Sequence, residues 1–159
     1  MAIDALAPFP RLCTMAEYYD RLAEQLAKPP TRYDLDPVQF YTALPSVALV
    51  ELFRDEGRLR FRVVGQDILE RIGAIGLGGR WLDSLVPGDN GDAIDGLFGN
   101  LISIDKVTFE QGEVHRKVTR TVTAYAKLTL PLAAPENEPH AALVGIVFID
   151  PFSTKPRRY

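Results

Sequence analysis

The chain has 159 residues, of which 47% are apolar and 25% charged, and this is the composition of one ordinary globular domain. Its formal net charge of −3 offers no basic field to phosphates, which argues against nucleic-acid binding. One cysteine, Cys13, excludes an internal disulfide and fits a reducing cytoplasm, and no apolar run approaches the roughly 18 residues that cross a bilayer.

The first predicted helix begins at Thr14, which opens a capping-box pattern after a loose lead-in over residues 1–13. It stops before Pro29, because the residue before a proline avoids the helical region. Four apolar residues share one side of this helix: Met15, Tyr19, Leu22 and Leu26. A second, short helix is predicted over residues 36–45, with an aspartate as its cap and a proline at its end.

The apolar period then changes from 3.6 to 2, which predicts two strands. The first covers residues 47–53, and its apolar face carries Ala48, Val50 and Leu52. A polar turn that contains Gly57 leads to the second strand, residues 59–64. Strict alternation in this strand directs three side chains inward, namely Leu59, Phe61 and Val63. The two runs around one turn predict a β-hairpin.

A helical, glycine-rich middle follows the hairpin. Residues 66–72 are predicted to form a short helix, and the glycines of residues 76–79 connect it to Trp81. A longer helix begins at Asp92 and presents four apolar residues at helical spacing: Ile94, Leu97, Phe98 and Leu101. Gly96 and Gly99 each cost this helix roughly 1 kcal/mol against alanine, which indicates either close packing at these positions or a mobile helix.

Three strands are predicted at the end of the chain, over residues 106–113, 119–132 and 142–149. Pro131 confines the far end of the second of them to an edge or a break. The last strand is apolar on both faces, and we expect the first helix to cover its second face. Residues 151–159 are predicted to be a frayed basic tail.

Several short segments resemble PAS domains, and in particular a bacterial family of small stand-alone PAS proteins. Each segment occurs at the expected place in the order of two strands, a helical segment and three strands. The segments are LPSVAL at residues 44–49, FRVVG at 61–65, Gly73, Gly79-Arg80, LDSL at 82–85 and LPL at 130–132. The resemblance covers residues 31–149. The family's short turn before the last strand is replaced here by a loop of eight residues, 133–140, so contacts at that rim are not transferred.

The resemblance implies an α+β fold with a five-stranded antiparallel sheet and helices on one face, to which this chain adds an N-terminal helix. We therefore divide the chain into an N-terminal extension and helix (1–30), a PAS-like domain (31–150) and a tail (151–159). It also implies a site between the sheet and the helices. The candidates to line that site are Phe61, Val63, Ile68, Ile72, Trp81, Phe98, Leu101 and Phe109. A packed core of the same residues is the alternative.

No cofactor or metal is expected. Haem-binding PAS domains use a histidine of the helical middle and flavin-adduct PAS domains a cysteine there, and residues 65–106 contain neither. The aspartates around residues 89–95 do not have the spacing of an EF-hand loop. The glycines of residues 76–79 are not followed by the Gly-Lys-Ser/Thr ending of a P-loop. His115 and His140 both fall in or near predicted turns, where no catalytic triad can be assembled from them.

The stripe of Met15, Tyr19, Leu22 and Leu26 is a candidate dimer interface, or else it covers the sheet of its own chain. The favoured function is a non-catalytic sensory or regulatory domain that binds a small, largely apolar molecule or a protein partner. Because no residues remain for an output domain, the signal is expected to leave through a homodimer or a separate protein. Two alternatives are a small acid–base enzyme that works through Asp67 or Tyr125, and a pure interaction adaptor.

Overall fold

The computed structural model describes residues 3–74, 76–85, 89–116 and 120–149. Its α-helices are α1 (Ile3–Leu6), α2 (Pro10–Leu26), α3 (Gln66–Ile72) and α4 (Asp89–Phe98). Short 3-10 helices cover Arg32–Asp34, Pro37–Ser46, Leu82–Ser84 and Gly99–Ser103. The strands are β1 (Val47–Phe53), β2 (Arg58–Val64), β3 (Thr108–Arg116), β4 (Thr121–Leu132) and β5 (His140–Ile149).

The five strands form one antiparallel sheet in the order β2-β1-β5-β4-β3. The predicted α+β fold, with its five-stranded antiparallel sheet, is confirmed. Strand β5 lies in the centre, which explains why its sequence is apolar on both faces. Pro131 pairs with Ala142 of β5, but β3 extends along β4 only as far as Thr129. Pro131 therefore has no described strand beside it on the β3 side, and its missing N–H interrupts no pairing there. This agrees with the predicted edge or break at the far end of β4.

Each face of the sheet carries its own apolar core. We call the face under α3 and α4 the inner face and the face under α2 the outer face. The inner core contains Ala48, Val50 and Leu52 of β1, while the outer core contains Leu12 and Met15 of α2. Helix α2 contacts β5 and β4, which confirms that the first long helix covers the second face of the last strand.

The N-terminal helices differ in detail from the prediction. Helix α2 begins at Pro10 rather than Thr14, and α1 lies in the segment expected to be a loose lead-in. Proline is favourable in the first helical turn, and the earlier start buries Leu12 against the sheet. The Thr14 hydroxyl donates to the carbonyl of Pro10 inside the helix and caps nothing. The end of the helix, at Leu26, confirms the predicted stop before Pro29.

The predicted inward orientation of Val63 is wrong. Between Leu49 and Val50 of β1 the pairing register with β2 shifts, so that Val50 pairs with Phe61 and Leu49 pairs with Val63. The extra residue, Arg62, forms a β-bulge, and a bulge reverses the alternation of the residues that follow it. Val63 is consequently on the outer face and 58% exposed, while Val64 packs against the inner core.

The predicted middle of the chain is largely confirmed. Helix α3 has the predicted bounds and ends at Gly73, whose φ of +69° is a left-handed conformation that glycine adopts easily. Helix α4 begins at Asp89, three residues before the predicted Asp92, and continues as 3-10 helix from Gly99. Its four predicted apolar residues are all buried: Ile94, Leu97, Phe98 and Leu101. The 3-10 helix Pro37–Ser46 has its predicted cap, since the Asp36 carboxylate accepts from the amide of Val38.

The strands at the end of the chain lie close to their predicted positions. Strand β3 starts and ends a few residues later than residues 106–113, and β4 and β5 match within two residues. Residue 119, the predicted start of β4, and the predicted tail lie outside the described residues. The division of the chain at residues 30 and 150 stays a prediction.

Candidate functional site

The inner face brings together five of the eight residues predicted to line a site. Phe61 of β2 and Phe98 of α4 meet edge to face with their ring centroids 5.0 Å apart. Ile68 and Ile72 project from α3 onto the same cluster, and Leu101 reaches it from the 3-10 helix after α4. All five side chains are fully or almost fully buried. They form the apolar side of the candidate site.

The other three predicted lining residues lie elsewhere, and Val63 is outside for the reason already given. Phe109 packs on Phe9 at the outer face, because strand alternation directs its neighbour Glu110 inward. Trp81 packs on Phe53 in a tilted arrangement, with ring centroids 4.9 Å apart, and the Arg58 guanidinium lies 3.9 Å from the Trp81 ring centroid. These three residues do not belong to the inner core.

Trp81 is displaced because the glycine-rich segment runs along the free edge of β2. The amide of Phe61 donates to the carbonyl of Arg80 at 2.9 Å, and the amide of Gly79 donates to the carbonyl of Phe61 at 2.6 Å. Gly79 has a φ of +81°, which the segment needs to turn into this contact. The segment therefore covers the edge of the sheet and places Trp81 beside the arginines of β2, where it no longer forms a wall of the site.

A buried ammonium group occupies the inner face beside the apolar cluster. Lys127 lies in the middle of β4 and its side chain is 1% exposed. Its Nζ donates to the carbonyl of Leu97 at 2.6 Å and to Oδ1 of Asn100 at 3.1 Å, where α4 passes into the 3-10 helix. Its charge is balanced by Glu110, whose Oε1 is 2.8 Å from Nζ. The sequence does not reveal this group, because alternation alone does not show which face of a strand is covered by helices.

Tyr125 completes this polar group. Its phenol is hydrogen-bonded to Glu110, and burial followed by the charge of Glu110 raises the pKa of the phenol. The Tyr125 ring lies across Gly112 of β3, where an added Cβ would be 2.8 Å from the phenol oxygen. Gly112 thus provides the room that brings Tyr125 to Glu110. We call Glu110, Tyr125 and Lys127 the polar triad.

The polar triad offers hydrogen-bond donors to a bound molecule. A phenol with a raised pKa stays protonated and donates a hydrogen bond, and the Lys127 ammonium has three N–H donors and no acceptor. Asp67, the other residue considered for catalysis, is ion-paired with Arg11 at 2.6 Å. Within the described residues no group of three His, Cys, Asp or Glu side chains could hold a metal.

The Arg11–Asp67 pair also connects the two helical layers. Arg11 lies in the first turn of α2 on the outer face, and Asp67 lies in the first turn of α3 on the inner face. The Arg11 guanidinium also donates to the Ser46 hydroxyl at 2.8 Å, just before β1. A displacement of α3 would therefore also change the ion pair that connects it to α2.

A family model for the PAS domain matches residues 10–148 of the chain. The chain belongs to the PAS domain family. PAS domains generally work in sensing and signalling and are generally non-catalytic modules. No curated protein matches the chain. In the described residues of this PAS domain, no helix is both long and apolar enough to cross a membrane.

Solved structures of low sequence identity are similar to this PAS domain. The PAS domain of BvgS from Bordetella pertussis is 14% identical, with 74% of this chain and 89% of that chain covered and a TM-score of 0.45. A LOV protein from Rhodobacter sphaeroides is 12% identical, with coverage of 75% and 71% and a TM-score of 0.44. The PAS domain of an HTR-like protein from Haloarcula marismortui is 15% identical, with coverage of 84% and 99% and a TM-score of 0.41.

Proposed function

We propose that this PAS domain is a non-catalytic cytoplasmic sensor that binds a small molecule between the inner face of the sheet and helices α3 and α4. The observation that carries the proposal is the buried ammonium of Lys127, paired with Glu110 beside an aromatic and aliphatic cluster. Binding sites for small molecules combine apolar walls with a few convergent polar groups, and this region has both.

The polar triad is unfavourable in free energy if its only role is to pack the core. A buried ion pair stabilises a fold no better than well-packed apolar side chains of the same volume, since both ions must be dehydrated. An ordinary core at this position would be served by leucine or methionine at position 127. The presence of Lys127, Glu110 and Tyr125 is therefore better explained by recognition of a ligand.

The polar triad also changes the expected ligand. The sequence favoured a largely apolar molecule because no cluster of charged residues was expected to point inward. With Lys127 and Tyr125 on the inner face, the proposed ligand has an apolar body for Phe61, Phe98 and Leu101 and a polar group for the triad.

The proposal is tested by native mass spectrometry of the protein purified from its own host. We expect a retained small molecule and expect it to be lost in a Leu101→Trp variant, in which the larger side chain fills the site. A Tyr41→Trp variant, changed at a side chain that is 68% exposed, is the control and should retain the molecule. If no molecule is retained, and a library of neutral and anionic compounds shifts no amide resonance of α3, α4 or β4, the adaptor function replaces the sensor.

For the output we propose a homodimer or a separate protein partner. Met15 is fully buried on its own sheet, and the Tyr19 hydroxyl donates to the carbonyl of Pro131 at 2.8 Å. Leu22 and Leu26 are partly exposed, so the C-terminal half of the stripe is the part that can meet a second copy. A Leu22→Ser, Leu26→Ser double variant should shift the mass in light scattering from dimer to monomer. A dimer that persists in this variant would exclude the stripe as its interface.

A further inference from the structure

The three acceptors around Lys127 are not equivalent. The carbonyl of Leu97 and the amide oxygen of Asn100 are neutral and belong to the end of α4 and the 3-10 helix that continues it. The carboxylate of Glu110 is the charged acceptor, and it comes from β3 at the edge of the sheet. The backbone of Lys127 itself lies between β5 and β3 in the sheet, paired with Ile146 and Glu110.

Solvent access distinguishes the two partners of this ion pair. The Lys127 side chain is 1% exposed, whereas the Glu110 side chain is 32% exposed. Glu110 can therefore rotate into water while β3 keeps its pairing, and it regains hydration when it does so. Lys127 has no such route, because its Nζ is enclosed by the sheet and by the end of α4.

If Glu110 rotates away, the ammonium of Lys127 needs another anion as its partner. An ammonium buried without a counterion is strongly unfavourable, so the replacement must carry a negative charge and accept a hydrogen bond from Nζ. Tyr125, whose phenol is hydrogen-bonded to Glu110, can donate to the same replacement. One ammonium and one phenol together fit the two oxygens of one carboxylate.

The surroundings of Nζ determine what must be attached to that carboxylate. Lys127 pairs with Ile146 of β5, and Leu97 and Leu101 belong to the same buried cluster. A group attached to the carboxylate would contact these aliphatic side chains, none of which carries a charge. A short aliphatic chain satisfies this environment, whereas a second carboxylate does not.

We propose that Glu110 is an internal stand-in for the ligand, and that a small monocarboxylate with an aliphatic body displaces it from Lys127 and Tyr125. This inference rests on the proposed function, which it deepens by naming the ligand class. The Glu110 carboxylate then competes with the ligand for one position, so the ion pair sets the concentration at which the domain responds.

The experiment measures binding of hexanoate and of its neutral counterpart hexanamide by isothermal titration calorimetry, in the full chain. The Glu110→Gln variant removes the competing charge and keeps the shape. We expect it to bind hexanoate at least about tenfold more tightly than the unaltered protein, because one charge-assisted hydrogen bond no longer competes. Hexanamide should not show this gain. Glu113→Gln is the matched control, since Glu113 is an exposed residue of the same strand that pairs with His115, and it should leave the affinity unchanged.

A Glu110→Gln, Lys127→Met double variant provides the second arm. It removes both charges together, so it leaves no unpaired ion and is expected to fold, and it should bind neither compound. The inference is overturned if Glu110→Gln binds hexanoate no more tightly than the unaltered protein does. It is also overturned if Glu110→Gln gains as much affinity for hexanamide as for hexanoate. If the inference fails in this way but native mass spectrometry finds a retained molecule of another class, the proposed function still stands. If no molecule is found and hexanoate does not bind, both fail.

Discussion

Gly145 in the central strand β5 packs so closely on Met15 of α2 that a larger residue at this position would displace the side chains of the helix. A Cβ added to Gly145 would lie 2.5 Å from the Met15 sulfur and 2.6 Å from a methyl carbon of Leu12. The glycine therefore sets the distance at which α2 packs on the outer face. The Arg11 guanidinium on the same helix bonds Asp67 of α3, so α2 also contacts the inner layer.

A Gly145→Ala substitution should destabilise the domain by about 1–3 kcal/mol, the usual cost of overpacking a core. Urea denaturation followed by circular dichroism measures this change. Gly96→Ala is the matched control, since Gly96 lies inside α4 with no atom within 4 Å of an added Cβ. Alanine there should stabilise by about 0.5–1 kcal/mol through helix propensity. Equal effects at both sites would show that α2 does not pack as described.

Glu51 is a buried carboxylate on the outer face, with its side chain 3% exposed, and it depends on Arg60 at 3.0 Å. Removal of Arg60 leaves a buried acceptor with the more distant Arg62, whose guanidinium is 3.8 Å away. Arg60→Met should therefore destabilise by about 1–3 kcal/mol in urea denaturation. Arg58→Met is the control, because both members of the Arg58–Asp83 pair are well exposed and such pairs contribute about 0–1 kcal/mol. A larger loss for Arg58→Met would contradict this ranking.

Tyr125 should make the stability of the domain depend on alkaline pH. Its pKa is raised in the folded state by burial and by Glu110, so above pH about 10 the unfolded chain loses the proton while the folded chain keeps it. Stability contributed by this phenol is therefore fully present below pH about 10 and is lost as the pH rises through the raised pKa. The free energy of unfolding should fall less steeply in Tyr125→Phe between pH about 9 and 11. Tyr41→Phe, at an exposed side chain, should not change the slope, and identical slopes in all three proteins would exclude this role of Tyr125.

The purified protein should carry neither haem nor flavin. Residues 65–106 contain no histidine and no cysteine, so the helical middle offers neither an axial ligand nor an adduct-forming thiol. An absorption spectrum after gel filtration tests this, and a strong band between about 400 and 450 nm that co-elutes with the protein would contradict it.

The sequence predicted the strands and the apolar residues of the helices well, because alternation and helical spacing are local. It failed where the outcome depends on a partner element. Val63 is turned outward by a bulge at Arg62, which alternation within β2 cannot reveal. Lys127 was invisible for a similar reason, since the helix that encloses it is thirty residues away in the chain. The start of α2 at Pro10 depends on the sheet that buries Leu12, and no capping residue marks it.

Phe61 is the residue at which a ligand site on the inner face can be distinguished from a packed core. The Phe61 ring is fully buried and meets Phe98 edge to face, on the inner face where the ligand is proposed to bind. A Phe61→Trp substitution adds volume, which either occupies the space of the ligand or strains a packed core. If the space is real, Phe61→Trp should weaken binding of the retained host molecule at least about tenfold with little change in stability. If binding is followed by the fluorescence of the tryptophan introduced at position 61, the measurement needs a Trp81→Phe background. Trp81 packs on Phe53 away from the inner core, and its emission would obscure that of the introduced tryptophan. A loss of about 1–3 kcal/mol without any effect on a ligand would identify the region as ordinary packed core and favour the adaptor.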